Sequence, residues 1–253
     1  RQLLIFKITN MNYLNFIAMS VPTDGTGFTF WLGAMAMMAA SVFFFLSMNG
    51  VDAKWRTSLL VSGLITFIAA VHYMYMRDAH AAGDSTTVFR YVDWILTVPL
   101  MCVEFYLILK VAGATKKDMW RLIALSTVML VAGFFGESGW DGEMFGAQNA
   151  AVWGLISGGA YFWILYDIRW GGLKKVAESA GGNVLSAHNM LVWFVLVGWA
   201  IYPLGYMAGT EGWYNSILPA LDMEVIYNVG DAINKIGFGL VVYSLAVKES
   251  SNA

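Results

Sequence analysis

The stretch RYVDWILTVPLMCVEFYLILK, Arg90–Lys110, decides the fold class. It is long and apolar enough to cross a bilayer, for which roughly 20 mostly apolar residues are needed. Yet it contains Arg90, Asp93 and Glu104 within that apolar context. Ionisable groups cost free energy in hydrocarbon and are found there mainly for functional reasons. The stretch therefore predicts a transmembrane helix that carries a functional row of charges.

The composition of the whole chain also predicts a membrane protein. Of the 253 residues, 58% are hydrophobic and 13% are charged, whereas soluble domains carry about 25% charged residues. The net charge of −2 gives no indication of a nucleic-acid partner. One cysteine and three scattered histidines do not form a metal-ligand pattern, so we predict no metal site. We predict one compact bundle in a lipid bilayer.

Six further apolar stretches bring the number of predicted spans to seven, so the predicted fold is all-α. Their approximate bounds, in chain order, are 27–49, 57–77, 88–110, 119–137, 147–168, 187–209 and 220–247. We divide the chain into an extracellular or interfacial segment, 1–26, a seven-helix transmembrane domain, 27–247, and a cytoplasmic tail, 248–253.

Charge in the connections predicts the orientation of the bundle. The first, third and fifth connections carry lysine and arginine, whereas the second, fourth and sixth are acidic. Positive charge is enriched in cytoplasmic connections. We therefore predict an extracellular N-terminus and a cytoplasmic C-terminus in the plasma or inner membrane. Asp93 then lies in the outer half of its span and Glu104 in the inner half.

The polar residues of the third span share one helix face. Asp93 and Thr97 are four residues apart, and Glu104 follows Asp93 by eleven residues. Eleven residues are close to three turns, which returns Glu104 to the same face about 16 Å further along the axis. This pattern predicts a row of polar groups along the membrane normal.

The last span contains DAINK, which places Asp231 and Lys235 on one face near mid-membrane. A lone ammonium is strongly disfavoured there. Lys235 can lose its proton, pair with Asp93 or Asp231, or form an imine, as buried lysines of lowered pKa do. A buried ion-pair network that only fixes helix register is the structural alternative.

Three motifs together, RYVDWILTVPLMCVE, GWAIYPLGY and DAINK, resemble the microbial (type I) rhodopsins. The proteorhodopsin- and xanthorhodopsin-like light-driven proton pumps are the most similar members. The resemblance covers essentially the whole transmembrane region. It implies a seven-helix bundle of the microbial rhodopsin type that binds all-trans retinal and moves protons outward. The activity is then ion transport driven by light, and we do not expect a classical enzyme.

The resemblance implies a role for each charged residue near the lysine. Lys235 would carry all-trans retinal as a protonated Schiff base. Asp93 would be the primary counter-ion and proton acceptor, and Asp231 the second counter-ion. Arg90 would be the outer charge that balances proton transfer.

The remaining polar residues follow the same resemblance. Asp93, Thr97 and Glu104 match the proton-pump triplet, in which Glu104 is the inner proton donor. His72, in AAVHYMY, matches a histidine that hydrogen-bonds the acceptor aspartate. By its sequence alone, a lone histidine could equally be satisfied by a neighbouring backbone or subunit.

The retinal site is predicted to be a flat slot between aromatic walls. By the resemblance, its lining comprises Trp94, Met101, Ser157, Trp199, Tyr202 and Pro203. Met101 occupies a colour-tuning position, and an apolar residue there predicts green rather than blue absorption.

Gly154 suggests a second chromophore. By the resemblance, xanthorhodopsin-like members have glycine at this position, which opens a lateral window where a hydroxylated carotenoid can act as an antenna. The alternative is ordinary close packing, because Gly154 and Gly158 form a small-xxx-small pair.

Several alternatives remain open on sequence grounds. A sensory rhodopsin is the alternative function, although a donor such as Glu104 argues against it, and a colourless proton-coupled transporter is another. The resemblance also implies a homo-oligomer, with a pentamer favoured. Candidate proton-release groups are four acids near the outer ends of the spans: Glu137, Asp141, Glu143 and Glu224.

Overall fold

The computed structural model describes residue 22, residues 24–217 and residues 223–251. Within these ranges the chain forms nine α-helices and no strand. The helices are α1 Gly25–Ser47, α2 Ala53–Ala82, α3 Thr87–Leu109, α4 Lys116–Ser138, α5 Asn149–Arg169, α6 Gly172–Ala180, α7 Gly182–Trp193, α8 Ile201–Gly209 and α9 Glu224–Ser251. Most of the predicted interfacial segment 1–26 lies outside the described residues.

Seven stretches are long and apolar enough to cross a membrane, which confirms the seven predicted spans. Helices α1 to α5 pack in chain order, and α9 closes the bundle against α1, α2 and α7. The outer surface is rich in exposed apolar side chains such as Leu46, Leu155 and Phe162. The charged residues Arg90, Asp93, Glu104, Asp231 and Lys235 are buried inside. This inside-out distribution suits a hydrocarbon solvent.

The sixth span is interrupted, although the sequence predicts one continuous helix over 187–209. Between α7 and α8, Phe194–Gly198 forms a π-helical turn. A wider turn displaces backbone carbonyls from their regular partners. Tyr161 donates its hydroxyl to the Val195 carbonyl at 3.0 Å, and Asn234 donates its amide to the Gly198 carbonyl at 3.0 Å. Side chains of α5 and α9 therefore stabilise the turn.

The fifth connection contains a helix where the sequence predicts only a connecting loop. Helix α6 buries Leu173 and Ala177 against the end of the bundle. Its polar side carries Lys174, whose Nζ lies 3.6 Å from the Glu178 carboxylate. Leu173 and Ala177 are four residues apart and share one face of α6, and burial of that face holds the helix against the bundle.

The connection between α4 and α5 is organised around Asp141. Its carboxylate accepts hydrogen bonds from the Trp153 indole at 2.7 Å and the Asn149 amide at 3.0 Å. The backbone N–H groups of Glu143 and Met144 also donate to it. Desolvation works in the opposite direction, but these donors together hold the pKa of Asp141 below its usual value. Asp141 is thus an ionised anchor of the connection.

Candidate functional site

The centre of the bundle holds a lysine between two aspartates. On α9, Asp231 and Lys235 are one turn apart, and Asp93 faces them from α3. The Lys235 Nζ donates to Asp93 Oδ2 at 2.8 Å and lies 3.2 Å from Asp231 Oδ2. Both aspartates are fully buried and Lys235 is 3% exposed. A buried cation without such partners would be very unfavourable, so the three groups form one electrostatic unit.

The two aspartates differ in their surroundings. Asp231 accepts hydrogen bonds from the Tyr73 hydroxyl at 2.7 Å, the Tyr202 hydroxyl at 2.6 Å and the Trp94 indole at 3.1 Å. Asp93 Oδ1 has no hydrogen-bond partner among the residues that the structure describes. Hydrogen bonds to a carboxylate stabilise its charged form. Asp231 is therefore the better stabilised anion, and Asp93 is better placed to take up a proton.

Arg90, three residues before Asp93 on α3, contacts the first turns of α9. It is 2% exposed, and its Nη2 donates to Glu224 at 2.6 Å and to Asn228 at 3.1 Å. The same Glu224 carboxylate accepts the Thr86 hydroxyl at 2.5 Å. The Arg90 guanidinium also lies 5.2 Å from the centre of the Tyr227 ring, within cation–π range. Arg90 thus links the buried centre to an acid at the end of the bundle.

The row of polar groups on α3 is buried along its whole length. Asp93, Thr97 and Glu104 are all 0% exposed. Thr97 donates its hydroxyl to the Asp93 carbonyl at 2.9 Å. Glu104 accepts the Ser62 hydroxyl at Oε1 at 2.8 Å, whereas its Oε2 has no partner within the described ranges. A carboxyl in so apolar a place, with one hydrogen-bond donor, is suited to hold a proton.

His72 is partly buried, and its ring makes a hydrogen bond to the backbone. Its Nδ1 lies 2.9 Å from the Ile68 carbonyl. The ring is still close enough to Asp93 for an electrostatic interaction. The predicted hydrogen bond to Asp93 is not formed among the described residues, since Asp93 Oδ2 accepts from Lys235 and Oδ1 has no partner.

An apolar cavity of about 730 Å³ begins at Lys235 and extends between α3, α5 and α8. Its volume is within the range of roughly 300–1,000 Å³ that is usual for small-molecule sites. The eight residues that the sequence assigns to cofactor binding all line it: Trp94, Met101, Gly154, Ser157, Trp199, Tyr202, Pro203 and Lys235. The Trp94 and Tyr202 rings meet edge to face at 4.9 Å.

This cavity fits the retinal that the sequence motifs imply. It is apolar and lined by aromatic rings, and the primary amine of Lys235 borders it. The Asp93 and Asp231 carboxylates beside that amine can balance a cation on its nitrogen. The residues present therefore match both the apolar body and the reactive end of the group.

The cavity reaches the outer surface of the bundle next to α5. Its lining includes Leu155, Phe162 and Leu204, which are 67%, 65% and 50% exposed. At Gly154, a Cβ would lie 2.8 Å from the Tyr206 ring, so that ring covers the predicted window there. At Gly158, one turn along, a Cβ would meet no heavy atom within 4 Å. The surface of the cavity is thus more open at Gly158 than at Gly154.

The acids considered for proton release occupy different environments. Glu137 accepts the Tyr91 hydroxyl at 2.8 Å and lines the cavity. Glu224 pairs with Arg90. Asp141 is the anchor of its connection, and Glu143 lies in the same connection with a positive φ of 56°. Glu224 is the one of these four that contacts Arg90.

Sequence reasoning missed several residues that contact the site, among them Ser62, Tyr73 and Asn234. Tyr73 follows His72 directly, and a polar tyrosine inside an apolar span is a usable signal. Asn234 precedes Lys235 and could have been noted for the same reason. Ser62 gives no signal, because serine is common in membrane helices and its partner Glu104 is 42 residues away.

Seven membrane helices around a buried amine and an apolar cavity define a membrane protein with an internal cavity of the size of a small-molecule site. The sequence profile described as bacteriorhodopsin-like protein matches residues 24–249. The chain belongs to this family and is a multi-pass protein of the cell membrane.

Named relatives agree with this assignment. The chain is 46% identical to a green-light absorbing proteorhodopsin of Gamma-proteobacterium EBAC31A08, over 91% of this chain and 90% of the relative. It is also 46% identical to a blue-light absorbing proteorhodopsin of Gamma-proteobacterium Hot 75m4, with the same coverage. The structure of xanthorhodopsin, a light-driven ion pump with dual chromophore, superposes with a TM-score of 0.76 at 28% identity, covering 90% of this chain and 94% of that one. The resemblance predicted from the sequence motifs is confirmed.

Proposed function

We propose that this protein is a retinal-binding, light-driven proton pump that moves protons outward. The observation that carries the proposal is the contact of 2.8 Å between the Lys235 nitrogen and Asp93, on the same helix as the buried Glu104. A carboxylate beside the nitrogen can accept its proton, and a second buried acid on the same helix can replace it. The similarity to proteorhodopsins and to a light-driven ion pump supports this assignment.

Retinal, joined to the Lys235 nitrogen as a protonated Schiff base, would supply light absorption and a light-driven change of shape. The aromatic walls of the cavity would hold it and exclude water from the nitrogen. Asp93 accepts the proton from that nitrogen, because its carboxylate has fewer hydrogen-bond donors than that of Asp231. Thr97 ties its hydroxyl to the Asp93 carbonyl and so fixes this turn of α3.

Asp231 remains ionised throughout, because three side-chain donors stabilise its charge. Arg90 supplies the positive charge at the same end and connects to Glu224. Glu104 returns a proton to the Lys235 nitrogen from the opposite end of α3. Among the described residues Ser62 is its one side-chain hydrogen-bond donor, and its buried position stabilises the protonated carboxyl before each cycle. His72 acts on Asp93 through electrostatics rather than through a hydrogen bond.

The direction of transport rests on the predicted orientation. Lysine and arginine are concentrated in the connections at the Glu104 end of the bundle, which the positive-inside rule assigns to the cytoplasm. The Arg90 end then faces outward. A proton that enters at Glu104 and leaves at the Arg90 end crosses the membrane from inside to outside.

By its family resemblance, the protein is proposed to assemble as a homo-oligomer, with a pentamer favoured.

Illumination of cells that contain the protein and retinal is expected to acidify an unbuffered suspension. A pH electrode records the change, and an uncoupler should abolish it because the gradient then collapses. Cells without retinal are the control. A coloured protein that leaves the external pH unchanged would favour the sensory alternative, and alkalinisation on illumination would reverse the proposed direction.

We also propose that a hydroxylated carotenoid binds the lipid-facing surface at Gly154 and Gly158 and passes excitation to retinal. Support comes from the opening of the cavity beside Gly158 and from the similarity to xanthorhodopsin, which is a dual-chromophore pump. A rod-like polyene could lie in this groove against the exposed Phe162 ring.

Adding such a carotenoid to the purified protein is expected to produce carotenoid bands in the excitation spectrum of retinal fluorescence. Gly158→Phe should remove these bands by filling the groove. Leu46→Phe, on the lipid-facing side of α1, serves as the matched control and should leave them unchanged. If no energy transfer is detected in the wild-type protein, the antenna proposal is wrong.

A further inference from the structure

His188 is a fully buried histidine that the mechanism above does not use. It lies on α7, is 0% exposed, and its Nε2 is 2.8 Å from the Ile168 carbonyl on α5. A carbonyl only accepts hydrogen bonds, so Nε2 must carry a hydrogen. In the neutral ring, Nδ1 is then the acceptor, and it has no protein partner among the described residues. The ring thus keeps one nitrogen fixed and one nitrogen available to bind a proton.

The ring lies beside α3, at about the same depth in the bundle as Glu104. Its centre is 5.6 Å from that of Phe105, the residue after Glu104. His188 is six residues from the start of α7, and Glu104 is five residues from the end of α3. At 1.5 Å per residue, Glu104 lies about 7.5 Å and His188 about 9 Å from these helix ends, which are at the same end of the bundle. Like His188 Nδ1, Glu104 Oε2 is buried and has no protein partner among the described residues.

Charged groups of α6 reach His188 from the surface side. Lys174 and Glu178 both interact with it electrostatically, and the Lys174 Nζ donates to the side chain of Asn189, the residue after His188. Lys174 is 16% exposed and Glu178 57% exposed at the side chain. Water can therefore reach this pair at the surface, and Lys174 contacts the chain at Asn189, directly after the histidine. On its other sides the ring contacts Phe105 and the Ile168 carbonyl, which do not titrate.

We propose that His188 is a proton-relay residue that supplies Glu104 from the α6 surface. The inference rests on the proposed pump function. After Glu104 has given up its proton, Nδ1 of the neutral imidazole binds a proton from water near Glu178, forming an imidazolium. That proton then passes to the Glu104 carboxylate through water, which restores the neutral imidazole and the protonated acid. Buried polar atoms that lack protein partners are the usual positions for such bridging waters.

The substitution His188→Gln tests the relay, because glutamine can donate to the Ile168 carbonyl but cannot bind the proton. After a single flash, a pH-indicating dye should show that proton release is retained and that proton uptake slows by about 100-fold or more, the scale of a lost acid–base group. Added azide, a small permeant acid, should restore fast uptake in proportion to its concentration. A purely structural role would not respond to azide.

Two further variants complete the test. His80→Gln changes a histidine at the opposite end of the bundle, where its Nε2 lies 3.0 Å from Asp24, and should leave uptake unchanged. His188→Phe replaces His188→Gln if the latter does not bind retinal. Uptake at the wild-type rate, or slow uptake that azide does not accelerate, would overturn the relay. If the wild-type protein releases no proton after a flash, the pump proposal itself fails, and the relay fails with it.

Discussion

Lys235→Ala is expected to produce a protein that stays colourless when retinal is added. An imine needs a primary amine, and Lys235 is the amine that borders the cavity. The wild-type protein should gain a visible absorption band under the same conditions and lose it to hydroxylamine. Absorption spectroscopy of the purified protein measures both effects, and loss of the band should be complete.

A second substitution separates chemistry from folding. Removing Lys235 leaves Asp93 and Asp231 buried together without their cation, which can cost about 3–5 kcal/mol of stability. Lys235→Arg keeps a positive charge near both carboxylates but has no primary amine. It should fold more stably than Lys235→Ala and remain colourless. If either variant forms a hydroxylamine-sensitive pigment, Lys235 is not the attachment site.

Asp93→Asn is expected to keep the visible pigment and to lose nearly all proton transport. Asparagine has the shape of aspartate but does not accept a proton. The variant therefore keeps a polar group at the position 2.8 Å from the Lys235 nitrogen but loses the proton acceptor. Asp231 still balances the cation. Loss of an acid–base group of this kind typically costs on the order of 100-fold or more in rate. Initial rates of light-induced acidification, normalised to pigment, measure the effect.

The matched control makes the same change in the connection between α4 and α5. Asp141→Asn removes a carboxylate that is hydrogen-bonded to Trp153 and Asn149, far along the chain from the lysine. Its normalised acidification rate should stay close to that of the wild-type protein. An Asp93→Asn variant that still pumps at half the wild-type rate would show that another group accepts the proton.

The sequence predicted the seven spans and the residues that meet at the centre, for identifiable physical reasons. Charges inside apolar stretches are rare, so Asp93, Glu104, Asp231 and Lys235 stand out without structural information. Helical periodicity then places Asp93, Thr97 and Glu104 on one face, and all three are buried together. Each of these inferences depends only on spacing within one helix.

Contacts between helices could not be predicted in the same way. Whether Tyr73 or its neighbour His72 donates to an aspartate depends on the rotation of α2 within the bundle, and it is Tyr73 that reaches Asp231. The filling of the space beside Gly154 by Tyr206 likewise depends on how α5 and α8 approach each other. A single sequence shows which side chains are available, but it does not specify the relative rotation of the helices.

The π-helical turn at Phe194–Gly198 divides the sixth span into two parts with separate attachments. On one side, His188 joins α7 to the Ile168 carbonyl of α5. On the other, Tyr202 joins α8 to Asp231 on α9. Bending at such a turn breaks fewer regular backbone hydrogen bonds than bending a uniform helix. A tilt of α8 can therefore occur with α7 held in place, and the amide of Asn234, beside Lys235, provides mechanical coupling between that joint and the photochemical centre.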